Sequence, residues 1–315
     1  MEISRDMKAV DKPSYIQRKW RHLRKDRHLL VLFLPCVICV ILFKIIPILW
    51  NITAFQNYKI AKGIFGSEFV FFENFQLFFD SPDFLVIIKN TVMLGLLSIV
   101  TFPLAIVFAL LVCEVRSAFF KKSVQIISYM PFFLSLVVVS GMAWSFLSID
   151  GGLVNEFLGL FGIPPQYFMS KPEWFRFIYI FSQSWQSTGY GSIIFVAAIS
   201  GISHELFDAA EIDGCNRFRK IWHVTLPGIA GTIAVMLIIT VGNLIMISFE
   251  RALLLQSPAT YEVSDVIGTY VYRVGIKQLN YGFATAIGLF EAVITLIFLA
   301  SANYISQRVS KIGIW

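Results

Sequence analysis

Residues 203–227 are the most informative stretch of the chain and read SHELFDAAEIDGCNRFRKIWHVTLP. Ser203 can cap a helix with apolar positions at helical spacing, and Gly214 then breaks that helix at a point suited to a positive φ angle. A second short helix follows and ends at Pro227, with three apolar side chains on one face: Phe218, Ile221 and Trp222. The pattern predicts a compact helix–turn–helix that is too polar to enter a membrane and is suited to a groove on a partner protein.

The chain on both sides of this loop is strongly apolar. Of its 315 residues, 57% are hydrophobic and only 15% are charged, whereas a typical soluble domain has about 25% charged residues. One soluble core cannot bury so much apolar surface, so the composition indicates a membrane protein. The net charge of +6 is expected from cytoplasmic loops rich in Lys and Arg. A role with nucleic acid is not expected, because no nucleic-acid-binding module accompanies the charge.

Six stretches are long enough to cross a bilayer as helices, which need about 20 mostly apolar residues. They lie at residues 29–50, 86–113, 124–147, 176–200, 228–249 and 284–305. Because lipid offers no partner to free backbone amides, each stretch is expected to be helical. The predicted fold class is therefore all-α, a polytopic membrane protein with six transmembrane helices. We expect kinks or helix ends near four prolines: Pro35, Pro47, Pro103 and Pro131.

The basic residues set the orientation, because connections rich in Lys and Arg stay in the cytoplasm. Residues 1–28 carry nine of them, and the loops after the second and fourth stretches and the end of the chain carry further groups. The predicted order is a cytoplasmic basic segment 1–28, a first transmembrane helix 29–50, an extracellular connection 51–85 that forms a small cap, a five-helix core 86–305 and a cytoplasmic tail 306–315. Both termini and the 203–227 loop would then face the cytoplasm.

Enzyme chemistry is not expected from this chain. It contains no G-x-x-x-x-G-K-[ST] nucleotide loop, no H-E-x-x-H and no G-x-S-x-G motif. Cys36 and Cys39 form a C-x-x-C pair, but no second pair or nearby His completes a metal site. We therefore expect no catalytic residue, no metal site and no cofactor in this chain.

The loop resembles the EAA loop of the permeases in binding-protein-dependent ABC importers. The usual form of that loop is E-A-A, three residues, Gly, nine residues and I-x-L-P. Here Asp208-Ala209-Ala210 stand for E-A-A, Gly214 falls at the required spacing, and Val224-Thr225-Leu226-Pro227 close the motif. The motif departs from the usual form at two positions, with Asp in place of Glu at 208 and Val in place of Ile at 224. The resemblance implies the type I ABC-importer permease fold.

Weaker similarities point to a branch of this family. Tyr270-Val271-Tyr272-Arg273 and Tyr281-Gly282-Phe283-Ala284 resemble its oligosaccharide-uptake subunits of the MalF/UgpA/LplB type, specifically those that handle complex plant-derived glycans. The resemblance implies several partners for a permease in the bacterial cytoplasmic membrane: a second homologous permease subunit, two ABC ATPase subunits that hold ATP and Mg, an extracellular sugar-binding protein or lipoprotein, and an oligosaccharide substrate.

The resemblance also makes the loop the element that couples the permease to its ATPases. The residues it assigns to this role are Asp208, Ala209, Ala210, Glu211, Gly214, Arg217, Leu226 and Pro227. For each charged residue taken singly, a solvated loop position explains the sequence equally well.

The sugar path is expected to use aromatic faces and amide groups within or beside the spans. The candidates are Trp144, Gln183, Trp185, Gln186, Tyr190, Asn243 and Glu250. An interhelical hydrogen bond explains Asn243 equally well, and Trp144 and Trp185 are also typical of interfacial aromatics. The alternative function is an ion-gradient-driven secondary transporter or channel, in which Asn243, Glu250 and Glu291 would form a proton or sodium site.

Overall fold

The structure is a computed structural model that describes residues 27–242 and 249–310. The chain divides into two compact units, residues 1–52 and 53–315. Most of the predicted basic segment, the candidate Asn243 and the last five residues of the predicted tail lie outside the described residues.

The described part of the first unit is a run of helical turns. α1 (Arg27–Val40) leads into a π-helical turn at Ile41–Ile45 and then into α2 (Ile46–Trp50). A 3-10 turn at Asn51–Phe55 follows in the chain. Pro47 lies in the first turn of α2, where the missing N–H is tolerated, and the wider π turn directly before it accommodates the proline ring.

The connection after the first helix is a folded cap. β1 (Gln56–Asn57) pairs antiparallel with β2 (Glu68–Phe69), with Gln56 opposite Phe69. α3 (Gly63–Gly66) lies between these strands, and α4 (Glu73–Phe79) follows them. Asn74 ties α4 to the hairpin, because its Nδ2 donates to the carbonyl oxygens of Ala54 at 2.8 Å and Gln56 at 3.1 Å.

The remaining helices belong to the second unit. In chain order they are α5 (Phe84–Val100), α6 (Phe102–Glu114), α7 (Ala118–Tyr129), a 3-10 turn (Met130–Phe133), α8 (Leu136–Phe146), α9 (Leu153–Gly159) and α10 (Pro172–Ser200). The loop region contains α11 (His204–Ile212), α12 (Arg217–Lys220), a π turn (Ile221–Thr225), α13 (Leu226–Gly228) and α14 (Ala230–Gly242). The last part contains α15 (Phe249–Leu255), a 3-10 turn (Pro258–Thr260), α16 (Tyr261–Ser264), α17 (Ile267–Tyr272), a π turn (Arg273–Lys277) and α18 (Tyr281–Ser310).

The described helices are consistent with three to six membrane crossings. Val31–Phe55, Phe84–Glu114 and Tyr281–Ser301 are each long and apolar enough to cross a membrane. Three further pairs of helices reach the same length and hydropathy only together, with a bend between them of 98° (Ala118–Phe133 with Leu136–Phe146), 72° (Pro172–Ser200 with His204–Ile212) and 65° (Arg217–Gly228 with Ala230–Val241). The expected six crossings require each bent pair to count as one span.

The third predicted stretch, at 124–147, is broken near Pro131, where a kink or helix end was expected. Pro131 lies in the 3-10 turn that ends the first half, and Leu134 is extended, with φ −74° and ψ 137°. Ser135 then caps α8, its Oγ accepting from the Val138 amide at 3.3 Å. The new cap satisfies a backbone amide that the break releases, so the chain can turn by 98° inside an apolar region.

Three apolar clusters hold the second unit together. One joins the cap to α5, α17 and α18 around Phe78, whose ring meets those of Phe84 and Phe290 edge-on at 5.0 and 5.5 Å. A second lies around Tyr179 of α10 and Leu255 of α15. The third joins α6 and α10 to Ile229, at the start of α14. The last cluster therefore anchors the exit of the 203–227 loop.

A polar clamp fixes the segment between α15 and α18. Arg273 forms a bidentate ion pair with buried Asp265, and Thr269 donates to the same carboxylate at 2.7 Å. Asn90 of α5 donates to the carbonyl oxygens of Glu262 at 2.9 Å and Asp265 at 3.2 Å. The clamp thus ties residues 262–273 to α5.

Gly189 lets α10 approach the helix before the break. A Cβ atom at position 189 would lie 2.0 Å from the backbone oxygen of Ser128, in α7. Gly189→Ala is expected to cost about 1–3 kcal/mol of stability, because backbone atoms must move to admit the methyl group. Thermal unfolding of the purified protein measures the loss. The control is Gly288→Ala in α18, where a Cβ meets nothing within 4 Å; equal melting temperatures for the two variants would refute the close packing.

The clamp makes a second prediction about stability. Asp265→Asn keeps the shape of the side chain but leaves the Arg273 guanidinium without its carboxylate, and we expect a loss of about 3 kcal/mol. The matched control is Asp80→Asn, whose side chain is exposed. A melting temperature for Asp265→Asn that matches the control would show that the ion pair contributes nothing to the fold.

Candidate coupling loop and translocation cavity

The bend of the 203–227 loop is built from local hydrogen bonds. Ser203 caps α11, its Oγ accepting from the Glu205 amide at 3.3 Å. Gly214 has φ +74°, and its amide donates to the carbonyl of Glu211 at 3.0 Å while the Cys215 amide donates to that of Ala210 at 2.9 Å. This pair of bonds is a Schellman motif, which closes the helix end on a left-handed residue. The predicted turn at Gly214 is thus present.

Side chains reinforce the same bend. The Asn216 Oδ1 accepts from the Arg219 amide at 2.9 Å and caps α12. Lys220 donates from Nζ to the Glu211 Oε2 at 2.7 Å, across the turn. The hydrogen bond and the charge of Lys220 lower the pKa of the Glu211 carboxyl below its ordinary value. The two short helices are therefore held at a fixed angle by backbone and side-chain contacts together.

The loop exposes both charged and large apolar side chains. The exposed apolar side chains of α11 and the following helical turns are Leu206, Ile212, Phe218 and Trp222, of which Ile212 and Phe218 are 87% and 82% exposed. Most of the predicted coupling residues are exposed beside them: Asp208, Ala209, Glu211, Gly214, Arg217 and Pro227. An apolar surface with a charged rim is typical of a protein interface.

Two of the predicted coupling residues face inward instead. Ala210 is buried, and Leu226 packs against the cluster that contains Ile229. A Cβ atom at Gly228 would lie 2.7 Å from the Cδ1 of Ile202, so the exit of the loop lies directly against the end of α10. The loop is therefore fixed to the helices on both sides of it.

A cavity of about 470 Å³ lies within the second unit. Its walls come from α5 and α6, from α10, from α14 and from α15. The polar residues of the lining are Ser98, Thr101, Tyr179, Gln183, Ser187, Thr188, Thr240 and Arg251. The remaining lining residues are apolar or glycine. A largely apolar cavity with a few placed polar groups is typical of a small-molecule site.

Gln183 and Gln186 both belong to the polar face of α10, at different distances from the cavity. Gln183 lines it, and its Oε1 accepts from the Ser98 Oγ at 3.2 Å. Gln186 is buried behind the wall, where its Nε2 donates to the carbonyl of Leu134 at 2.9 Å and its Oε1 accepts from Arg251 at 2.6 Å. Gln186 thus positions Arg251 and also satisfies the carbonyl left open at the α7–α8 break.

Four other predicted path residues belong to the described part of the chain, and none of them lines this cavity: Trp144, Trp185, Tyr190 and Glu250. The Trp144 Nε1 donates to the carbonyl of Leu254 at 2.9 Å, and the ring of Tyr190 stacks on Phe132 with centroids 3.8 Å apart. Trp185 is 42% exposed. Glu250 is exposed, and its neighbour Arg251 occupies the cavity wall. The contacts of Trp144 and Tyr190 are packing contacts between helices.

Arg251 is the functional candidate that the sequence reasoning missed. It is only 6% exposed and lies in α15, beside the buried Ala252 and Leu255. The sequence feature that could have identified Arg251 is the apolar run Ala252–Leu255 directly after it. An arginine within an apolar stretch usually faces a cavity or a partner.

The chain matches proteins of known families over nearly its whole length. Residues 101–311 match the family described as the binding-protein-dependent transport system inner membrane component. The polygalacturonan/rhamnogalacturonan transport system permease protein YteP of Bacillus subtilis is 38% identical over 98% of this chain and 97% of its own length. Protein LplB of the same organism is 36% identical over 93% of this chain and 92% of its own.

Solved structures agree in fold. A crystal structure of a bacterial ABC transporter involved in the import of the acidic polysaccharide alginate contains a chain with a TM-score of 0.86 and 40% identity, covering 93% of this chain and 99% of that one. A bacterial alginate ABC transporter in complex with an alginate pentasaccharide-bound periplasmic protein gives a TM-score of 0.87 at 40% identity, covering 94% and 100%. The chain therefore belongs to the inner-membrane components of binding-protein-dependent transport systems, and it is a permease subunit of an ABC importer.

Proposed function

We propose that this chain moves an oligosaccharide across the bacterial cytoplasmic membrane, using ATP that separate subunits hydrolyse. The observation that carries the proposal is the 203–227 loop, a rigid bent element with an exposed apolar surface that is joined to a wall of the cavity. ATP and Mg would be held by the partner ATPases. This chain supplies the path and the mechanical connection.

The route from loop to cavity is short and stiff. The exposed face of α11 and α12 offers Ile212 and Phe218 to an ATPase groove. Leu226 and Ile229 connect the other end of the loop to a packed cluster, and α14 begins directly afterwards. Met236, Ile239 and Thr240 of α14 line the cavity. Movement of the seated loop would therefore shift one wall of the cavity, since packed helices move as units.

The proposed partners follow from the side of the membrane on which the loop lies. A loop that receives force from an ATPase must face the cytoplasm, which agrees with the orientation predicted from Lys and Arg and with both termini on that side. The extracellular connections would then meet a sugar-binding protein, just as the similar alginate transporter was crystallised with a sugar-loaded periplasmic protein. A second homologous permease and two ATPases would complete the importer.

The cavity is chemically suited to a sugar. The Gln183 amide and the hydroxyls of Ser98 and Ser187 can exchange hydrogen bonds with sugar hydroxyls. The relatives YteP and LplB span nearly the full chain, and YteP is named for polygalacturonan and rhamnogalacturonan. These similarities support an oligosaccharide as the substrate.

The Gly214 turn provides the test of coupling. A Cβ atom there meets nothing within 4 Å, so a substitution acts through the φ angle of +74° and not through a clash. Gly214→Val is expected to lower sugar uptake and sugar-stimulated ATP hydrolysis about tenfold, because a left-handed β-branched residue costs roughly 1–2 kcal/mol or more. Both rates are measured on the importer reconstituted in vesicles.

Gly214→Asn is the matched control, since asparagine tolerates the left-handed conformation, and it should retain most of the activity. Equal, normal activity in both variants would count against the coupling role. Inactivating the ATPase partner while an ion gradient is kept distinguishes the alternative function: uptake that continues would identify a secondary transporter.

A further inference from the structure

The cavity wall contains a cation that a path for neutral sugars does not require. Arg251 is 6% exposed and lines the cavity. Its Nη1 donates to the Ser182 Oγ at 3.1 Å and its Nη2 to the Gln186 Oε1 at 2.6 Å. These two neutral side chains of α10 fix the plane of the guanidinium against the wall.

The charge of the cavity lining is one-sided. None of the lining residues in the described part of the chain is acidic, and Arg251 is the basic residue among them. The neighbouring wall contributes uncharged groups, including Tyr179, Gln183 and Thr240. A cation in a confined, mostly apolar space attracts anions strongly, because little solvent screens it.

We propose that Arg251 binds a carboxylate of the passing saccharide, so that the transported substrate is an acidic, uronate-containing oligosaccharide. This inference rests on the proposed function and adds the class of substrate and the residue that selects it. Arginine is suited to the role because its planar guanidinium can hold a carboxylate through two parallel hydrogen bonds. Gln183 and Ser187 would bind the hydroxyls of the same sugar unit.

The similar transporters are consistent with an acidic substrate. The solved transporter of similar fold is involved in the import of alginate, an acidic polysaccharide. Alginate is the substrate of that other transporter. For this chain, the role of Arg251 is inferred from its position in the cavity wall and from the charge of the lining.

The test compares two sugars that differ only in charge. The probes are tetragalacturonate and the same tetrasaccharide with its carboxyl groups reduced to alcohols. Initial uptake is measured in vesicles that contain the complete importer with saturating binding protein. The variants are Arg251→Gln, Arg251→Lys and, as the control that removes a neutral group from the same wall, Gln183→Ala. Assembly of each variant with its partner subunits is checked by gel filtration.

The expected result is selective. Arg251→Gln should lower uptake of the acidic tetrasaccharide about tenfold or more relative to the reduced one, because a charge-assisted bidentate contact is lost. Arg251→Lys should restore part of the difference, and Gln183→Ala should lower uptake of both sugars alike. Partial recovery by lysine separates a role in binding from a role in folding.

Two results would overturn the inference while the proposed function stands: wild-type importer that takes up the reduced sugar as fast as the acidic one, or Arg251→Gln that retains full uptake of the acidic sugar. If the wild type shows no ATP-dependent uptake of any saccharide, the proposed function fails and this inference fails with it.

Discussion

A single left-handed residue determines the geometry of the cytoplasmic loop. Gly214 adopts φ +74°, and the hydrogen bonds around it close α11 while α12 begins shortly afterwards, at Arg217. Without that turn, α11 would either continue outward or unravel, and its exposed apolar residues would lose their fixed relation to the rest of the chain. The stiffness of the loop is therefore a backbone property, reinforced by the Lys220–Glu211 ion pair.

The second requirement is a rigid connection between the loop and the cavity. Gly228 permits the loop exit to lie against Ile202, and Ile229 is buried in the cluster formed with α6 and α10. α14 starts at the next residue and contributes one wall of the cavity. α10, which leads into the loop, contributes a polar wall through Gln183 and Ser187. Both helices that flank the loop thus line the path it would operate.

The sequence predicted the parts of this arrangement that depend on local chemistry. Apolar length located the helices, and the Ser203 cap and Gly214 turn follow from short-range hydrogen bonding. A kink or helix end near Pro131 was predicted, but the size of the 98° bend was not, because the new helix also needs the Ser135 cap and the contact of Gln186 with the Leu134 carbonyl. That contact joins residues far apart in the chain.

Tertiary packing also explains why Arg251 was missed. Next to Glu250 it reads as part of a polar helix end, and only the packing of α15 against α10 turns it toward Ser182 and Gln186. The chemistry of Trp144 and Tyr190 suits a sugar, but helix packing places them outside the lining of this cavity, where they contact Leu254 and Phe132. Single-residue chemistry identifies candidates, whereas their position depends on which helices pack together.

Contact between the loop and an ATPase is the central claim, and photo-crosslinking in intact cells tests it most directly. A photoreactive phenylalanine analogue replaces Phe218, which is 82% exposed on the loop, or Phe65, which is fully exposed in the predicted extracellular cap. The account predicts crosslinks from position 218 to the ATPase subunit and none from position 65. Two results would contradict this claim. One is reaction of position 218 with a membrane-impermeant reagent added outside the cell, and the other is the lack of any ATPase crosslink from position 218 in an assembled importer.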